Sequence, residues 1–504
     1  MMGIRSKFTD WRCRRAQEYL ARHGYAAAKH SPQDQWFTVN EQINHLIGRA
    51  SPRLRSRVRD LVRNFPLFSR GLNAYTACMV GRGARFQSLA VHPDGTPAPE
   101  IRAKIEQRFR AWMECDADIS GNLHFYEMQQ LLCRQLLEGG EGLFAFHHEP
   151  RNRINPLSLM AIDADRLTDY GAAPLTADAE LFAGVEFDPR TGRKLAYHVT
   201  DGWYQSEVRR IAADDMVHVY QHLRPGQLRG VTPLASAILI ARAMAEYTQN
   251  ELTSSRMAAQ YMAMVTTESP RDFQASRGIV GSNAASGAQR PDIDYLENAI
   301  IEYLRPGEKI EFAQTASRPG DSFDRFCRFA TRMIAVTIDV PYEMLSGDYQ
   351  NINYSTSKAS RGDSRLLLQP HRLMMDIHFS RRLFRRWMDT EALTQDYMPG
   401  YWKDPEAYCR CLWIPAAMPS VEPQKDNRAD IDAIAAGLKS PQEAILERGN
   451  DPEEVLDQLA EWQRMARERG VTFGEVSTSL SGAPSALEDQ PVKPGYETEE
   501  ENEQ

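Results

Sequence analysis

Apolar residues recur every three or four positions over long stretches of the chain, interrupted by shorter segments in which they alternate. The strongest helical pattern lies in FDRFCRFATRMIAVTIDVPYEML. There Phe326, Ala330, Met333, Ile334, Thr337 and Val340 keep a spacing that places them on one helical face. Arg325, Arg328 and Arg332 fall on the opposite side. Pro341 restricts Val340 and predicts a helix end at that point. SGDYQNINYSTS follows, rich in Ser, Asp and Asn, whose side chains bond their own backbone and compete with helix. A solvated loop is predicted over 347–357. A second periodic segment runs from Ser357 to Met388, with Pro370 inside it. The missing N–H and the ring's clash with the preceding turn predict a kink there.

Upstream, Ser51 followed by Pro52 predicts a helix start. Arg53, Arg55, Arg57, Arg59 and Arg63 make that helix cationic, as a solvated face or as a partner-facing surface. Two helices are predicted over 101–148 around a turn at Ser120-Gly121-Asn122, with Trp112, Phe125, Tyr126, Leu131 and Leu136 as core. GGEG at 139–142 lacks the glycine-to-lysine spacing of a nucleotide cradle and predicts a tight turn into LFAFHH. Short alternating segments then continue to about residue 223, including a hairpin at Asp188-Pro189 in GVEFDPRTGRKLAYHV. Residues 51–230 therefore read as one α+β unit.

The helical period returns between Pro233 and Met264, where Ile238, Ile240, Met244, Leu252 and Met257 alternate with Arg242, Glu246, Glu251 and Arg256. A long helix with mixed-charge flanks suits packing between neighbouring subunits. Residues 266–320 turn Gly/Ser/Ala-rich and then strand-like in NAIIEYLRPGEKIEFA. Past Met388 the chain is rich in Pro and aromatics (YWKDPEAYCRCLWIPAAMP). Residues 426–470 are helical again, with Ser440-Pro441 as a start and Gly470 as a stop. The remainder, ending in YETEEENEQ, is too polar to fold alone.

With 504 residues and 42% hydrophobic positions, two to four folded units are expected. The net charge of -8 argues against a protein that coats DNA with its whole surface, but not against a channel through which DNA slides. Seven cysteines at irregular spacings predict a reducing environment rather than a disulfide framework. MMGIRSKFTDWRCRRAQEYLARHGY has no uninterrupted apolar core, and VTPLASAILIARAMA is broken by Arg242 and too short for a bilayer. The expectation is a protein made and kept inside a cell, or in a particle assembled there, with no membrane partner.

Catalytic patterns are incomplete. Ser355 and Lys358 match Ser-x-x-Lys, but neither Ser-Asp-Asn nor Lys-Thr-Gly completes the set. His218 and His222 lie in strand-like MVHVYQHL without a metalloprotease glutamate, and Cys409 and Cys411 have no second pair. Gly-x-x-x-x-Gly-Lys-Ser/Thr does not occur, so any ATP-driven step would fall to another chain. No catalytic residue, metal or cofactor is assigned.

VPYEMLSGDYQNINYSTSKASR resembles the signature region of phage lambda-type portal proteins. VRDLVRNFPLFSRGLNAYTACMVGRG, FYEMQQLLCRQLLEGGEGLFAF, IDADRL, GVEFDPRTGRKLAYHV and RPGQLRGVTPLASAILIA match as well, in the family's order, over roughly residues 45–470. The resemblance implies an α+β portal fold. Its parts would be a basic N-terminal extension at 1–50, a wing at 51–230 that returns at 391–425, and stem helices at 231–265 and 321–346. A small α/β clip at 266–320, a tunnel loop at 347–357, a kinked long helix at 358–390, a helical crown at 426–472 and an acidic tail at 473–504 would complete it.

The implied function is a non-enzymatic homo-oligomeric ring, dodecameric, at one capsid vertex of a virion. It would be assembled in the bacterial cytoplasm, together with major capsid and scaffolding proteins. Double-stranded DNA would pass through the ring during packaging and ejection, and terminase and head–tail connector proteins would dock on it. The matching loop would project Asp348, Tyr349, Gln350, Asn351, Asn353, Tyr354 and Ser355 into the channel, with Lys358 and Arg361 behind. Such groups form short-lived bonds to phosphate oxygens without the counterion release of a lysine-rich loop. The Arg325/Arg328/Arg332 stripe would either face the channel or pair with Glu246 or Glu251 on the adjacent stem helix. The alternatives are a DNA-processing enzyme of a mobile element, which needs clustered acids and a metal, and a head-completion or scaffolding protein without a channel.

Overall fold

The computed structural model describes residues 40–201, 207–265, 294–296, 299–303, 320–350, 353–417, 420 and 422–471. Most of the extension expected at 1–50, most of the segment at 266–320 and the acidic tail lie outside the described residues. Residues 47–504 form one compact unit and residues 1–46 another.

The first helix, α1, spans Ile43–Asn64 and begins eight residues before the expected start at Ser51. Ile43 and Ile47 already carry the helical period, and Pro52 is tolerated because it sits on the exposed side. The Ser51 hydroxyl instead reaches the Gly230 carbonyl at 3.5 Å. Two of the helix's arginines are not solvated. Arg55 Nε donates to Asp165 at 2.6 Å, and Arg59 Nη2 to Asp163 at 2.9 Å. The IDADRL segment thus supplies the acids that pin α1, while Arg53, Arg57 and Arg63 remain exposed.

Helix α2 (Pro66–Met79), strand β1 (Arg85–Ser88), α3 (Pro99–Cys115) and α4 (Phe125–Glu138) follow. His124 caps α4 by accepting from the Tyr126 N–H, and the Glu127 carboxylate accepts from the His124 N–H at 2.8 Å. Trp112 and Phe125 are fully buried, as expected; Tyr126 and Leu131 are only partly so, and Leu132 takes the inward position. Strands β2 (Glu141–His148) and β3 (Leu157–Ile162) are antiparallel, and β8 (Met216–Tyr220) pairs on the other side of β2, giving the order β3-β2-β8. Between them a meander runs β4 (Glu180–Phe182), β5 (Val185–Phe187), β6 (Lys194–Thr200), β7 (Val208–Ala212). Its β5–β6 turn is closed by Asp188, which accepts from the Arg190 N–H and the Thr191 hydroxyl, both at 2.8 Å.

The GGEG turn is shaped by close approach rather than by a ligand. Gly140 has φ 83°, and a Cβ there would stand 2.1 Å from the Val231 carbonyl carbon. A Cβ on Gly230 would in turn meet the Gly140 oxygen at 2.1 Å. Gly140→Ala is expected to destabilise the fold by more than about 2 kcal/mol, because backbone on both sides must move. Gly121→Ala provides the control: its φ is 69° but nothing lies within 4 Å, so it should cost only the left-handed penalty of about 1 kcal/mol. Urea unfolding midpoints of the two variants test the difference; equal shifts would sink the close-approach explanation.

Helix α5 (Ile238–Gln260) follows a single 3₁₀ turn at Pro233–Ser236 and spans about 35 Å. The last residues of the predicted helix are instead strand β9 (Tyr261–Val265). It pairs in parallel with β11 (Ala299–Tyr303), which is antiparallel to β10 (Asp294–Leu296). Helices α6 (Gly320–Thr337), α7 (Tyr342–Ser346) and α8 (Tyr354–Met375) lead into a π-helical segment at Asp376–Arg381 and then α9 (Arg382–Thr394). Pro370 lies inside α8, and a π-helical departure from α geometry begins six residues beyond it. The wider turn aims both Phe379 and Phe384 inward. Phe379 stacks on Phe125 at 5.7 Å, and Phe384 lies 4.6 Å from Phe86.

Past a short helix α10 (Pro405–Tyr408), strand β12 (Cys411–Ile414) pairs antiparallel with β1, Arg85 opposite Ile414. This return closes an aromatic core centred on Phe109, whose ring lies 4.6 Å from Phe86, 5.0 Å from Trp387 and 5.3 Å from Trp112. Each such ring contributes about 1.5–3 kcal/mol by burial. Three helices close the described chain: α11 (Pro423–Ala435), α12 (Pro441–Glu447) and α13 (Pro452–Glu468). Ser440 caps only the seven-residue α12, and Asp451 caps α13.

Candidate functional site

The polar stretch after α7 is shorter than its composition suggests. Gly347, at φ 72°, ends α7 and donates its N–H to the Glu343 carbonyl at 2.9 Å. Asn353 then caps α8, its side-chain oxygen accepting from the Thr356 N–H at 2.8 Å, the Thr356 hydroxyl at 2.6 Å and the Ser355 hydroxyl at 2.8 Å. The helix consequently starts at Tyr354 rather than Ser357, and the connection is 347–353. Asn and Ser favour loops and helix caps for the same reason, a side chain that reaches nearby backbone.

Inside this connection the one acid is turned inward. Asp348 accepts from the Gln350 N–H at 3.0 Å and from the Tyr342 hydroxyl at 3.4 Å. Tyr349 is 61% exposed and Gln350 is also exposed. Asn351 lies outside the described residues, as does the side chain of Tyr354. Lys358 does not stand free behind the loop: its Nζ pairs with Asp426 of α11 at 2.7 Å. That lysine, together with the Ser420 hydroxyl, holds the Asp426 carboxyl below the usual range. Arg361, one turn on, is half-buried. Among the described residues between Gly347 and the Asn353 cap, the solvent-facing chemistry is therefore a phenol and an amide, with the Lys358 charge behind them matched by Asp426.

The arginine stripe does not use Glu246. Arg328 pairs with Asp324 at 2.9 Å and Glu246 with Arg242 at 2.7 Å, both within their own helices. Partners four residues apart on one helix are always near, whereas the α5–α6 contact is taken by rings. Tyr247 lies 5.1 Å from Phe326 and 5.5 Å from Phe323. Arg332 stands over the Tyr342 ring at 5.4 Å. Arg325 is exposed, and Glu251 on α5 is half-buried.

Helix α6 carries two apolar faces where the sequence reading assigned one. Ala330, Ile334 and Ile338 are buried, but Met333, expected beside them, is 46% exposed, with Phe329 at 56% and Val336 at 72%. These three recur at helical spacing on a second face, a signal visible in the sequence once a neighbouring molecule is considered. Leu366, Leu367 and Leu373 on α8 and Leu456 and Leu459 on α13 are exposed in the same way.

A second assembly of functional groups escaped the sequence reading because its members lie far apart in the chain. Glu141, fully buried, accepts from Arg229 Nε and from the Gly230 N–H, both at 2.9 Å, and from His218 Nε2 at 2.9 Å. Burial alone would raise the Glu141 carboxyl, but Arg229 and His218 outweigh it and hold the group well below the usual range. Since the carboxylate only accepts, His218 carries its proton on Nε2, and its Nδ1 accepts from Lys194 at 3.0 Å or the Tyr197 hydroxyl at 3.2 Å. Burial, and next the Lys194 charge, push His218 down to about 3. Burial likewise lowers Lys194 to about 7. GGEG and RPGQLRG, distant in sequence, meet through this carboxylate.

An α+β body whose long helices expose apolar stripes on either side of a short polar connection has the make-up of a subunit in a larger assembly. The model of the lambda family of phage portal proteins matches residues 29–370, and the chain belongs to that family. It is 23% identical over 492 residues to portal protein B of Escherichia phage lambda, covering 88% of this chain and 89% of that one. It is 24% identical over 484 residues to the portal protein of Escherichia phage N15, covering 88% and 89%. Among solved structures, a chain from the neck of a native GTA particle, computed with C12 symmetry, is similar at a TM-score of 0.41 and 16% identity, over 81% of this chain and 99% of that one. No helix among the described residues is long and apolar enough to cross a membrane.

Proposed function

We propose that this chain is the portal subunit of a phage or phage-derived capsid. Identical copies stand side by side in a ring at one vertex of the virion, and double-stranded DNA passes along the axis during packaging and ejection. The observation that carries this reading is the set of apolar residues left in water on α6, α8 and α13 of a chain belonging to the portal family. A lone subunit gains nothing from them, whereas a neighbour would bury them. In this ring α5 and α6 are the stem, the segment between them is the clip that receives terminase and the head–tail connectors, and α11–α13 form the crown.

The connection 347–353 faces the channel. With Asp348 held by the Gln350 N–H and the Tyr342 hydroxyl, and Lys358 matched by Asp426, its described residues present Tyr349 and Gln350, and the stretch 347–353 holds no cation. Contacts to passing phosphates then stay weak, as a sliding duplex requires. Replacing residues 349–352 with Gly/Ser while keeping the Asn353 cap is expected to leave rings intact but to reduce the retention of full-length genomes. Nuclease-protected DNA in filled heads, sized on a gel, measures this. Full-length DNA retained at the parental level would show that the loop plays no part in holding the packaged genome. Counting the symmetry of ring images tests the dodecamer.

A further inference from the structure

Side chains from β6, the end of β8, the π-helical segment and α9 line an open cavity of about 550 Å³, with the Glu141-bound His218 at its wall. Four basic side chains line it, Lys194, Arg382, Arg385 and Arg386, against two acids, Asp214 and Asp389. Two of the cations are matched by carboxylates: Arg385 pairs with Asp389 at 3.4 Å and with Glu406, and Arg386 with Asp215 at 2.7 Å. The other two are held differently. Arg382 Nη2 donates to the Ala213 carbonyl at 2.6 Å and the Asp214 carbonyl at 3.3 Å. Lys194 Nζ donates to His218 Nδ1 and lies 4.2 Å from the centre of the Tyr220 ring. An ammonium has three N–H groups and a guanidinium five, so donors remain on both.

His222 and His378 are exposed at the rim of the same cavity. Burial, and then neighbouring bases, lower both imidazoles: Lys194 and His378 act on His222, and Arg382 and Lys194 on His378. The cavity is thus a concave site whose basic groups repel one another and would be relieved together by an anion. Donors converging from four separate elements suit a tetrahedral oxyanion better than a planar carboxylate, which offers two oxygens in one plane.

We propose that this cavity is a binding site for an oxyanion of the phosphate class, free or carried on a polynucleotide backbone, held by Lys194 and Arg382 with the rim imidazoles beside them. The site is separate from the loop at 347–353. Calorimetric titration of the full-length protein with inorganic pyrophosphate is expected to show saturable binding at one site per chain. Lys194→Met and Arg382→Gln should each weaken it by about tenfold, the contribution of one charge-assisted hydrogen bond. His378→Gln, at an exposed rim position, should weaken it by about threefold. Displacement of pyrophosphate by a single-stranded oligonucleotide would assign the site to a phosphodiester backbone, and undiminished binding in its presence to a free oxyanion. Should Lys194→Met fail to fold, Arg382→Gln and His378→Gln decide the matter. Absence of saturable pyrophosphate binding, or unchanged affinity in the folded variants, overturns the proposal.

Discussion

Val336→Glu is expected to leave the subunit folded and to abolish ring formation. Val336 is 72% exposed on α6, and no part of the subunit's own core depends on it. If this face of α6 meets a neighbour, the same position recurs at every interface of the ring beside Phe329 and Met333. A carboxylate brought there loses its water without gaining a partner, at a cost of several kcal/mol per interface. Closure needs every interface at once, so the penalty multiplies around the circle. Light scattering coupled to size exclusion reads the outcome: assembled particles from the parent chain, single subunits from the variant, with matching circular dichroism. Rings of normal symmetry from Val336→Glu would show that this face of α6 points away from neighbours, and the ring reading would lose its main support.

Glu141→Gln is expected to be among the most destabilising single substitutions in the chain. Glutamine keeps the shape but removes the charge that Arg229 faces in the interior, where Arg229 is 5% exposed. Removing one partner of a buried pair costs about 3–5 kcal/mol, because the remaining charge is left without compensation. Arg55 would lose the same charge, and one of the groups that now donate to the carboxylate, such as His218 Nε2–H or Arg229, would face the amide NH2. Denaturant unfolding measures the loss; a shift under about 1 kcal/mol would mean that water already reaches the network.

The same network predicts acid sensitivity. His218 takes up its proton at about 3 when folded, against 6.5 for the ordinary imidazole. Between those values the unfolded chain binds more protons, so stability falls as pH drops, by up to about 1.4 kcal/mol per pH unit. Glu141, held below the ordinary 4.5, adds a loss of the same sign once pH falls beneath that value. In His218→Gln the slope of stability against pH between 6.5 and 4.5 should flatten relative to the parent. An identical slope in both proteins would place the acid sensitivity elsewhere.

The types of element, and the family, were legible in the residues themselves. Helical spacing in the α6 and α5 segments, alternation in the strands near Asp188 and the polar break after Gly347 are local properties. Helix and strand periods are imposed by backbone geometry on any chain that must bury one side. The α+β class followed from these patterns, and an ordered series of short motifs identified the lambda portal family.

Boundaries were less legible, and each miss has a local cause. Pro52 can start a helix or sit on a helix's wet side, and only the buried Ile47 and the Ser51–Gly230 contact decide between them. Asn353 can belong to a loop or cap the next helix. Pro370 removes one bond, but the core's need to receive both Phe379 and Phe384 places the irregular turn at Asp376–Arg381.

What the residue order determined by itself is thus the alternation of elements and the chemistry each stretch carries: a cationic first helix, a polar loop of low charge, exposed as well as buried apolar faces. What the tertiary structure alone decided is which of those groups meet. Arg55 and Asp165, Glu141 and Arg229, Lys358 and Asp426 are each separated by tens of residues. Periodicity reports which side of an element faces inward, but it holds no record of what arrives on the other side. Long-range pairing follows from how whole elements pack, so only the folded chain shows Lys358 tied to Asp426 on another helix and Glu141, which reads as a turn residue, at the buried centre of the charge network.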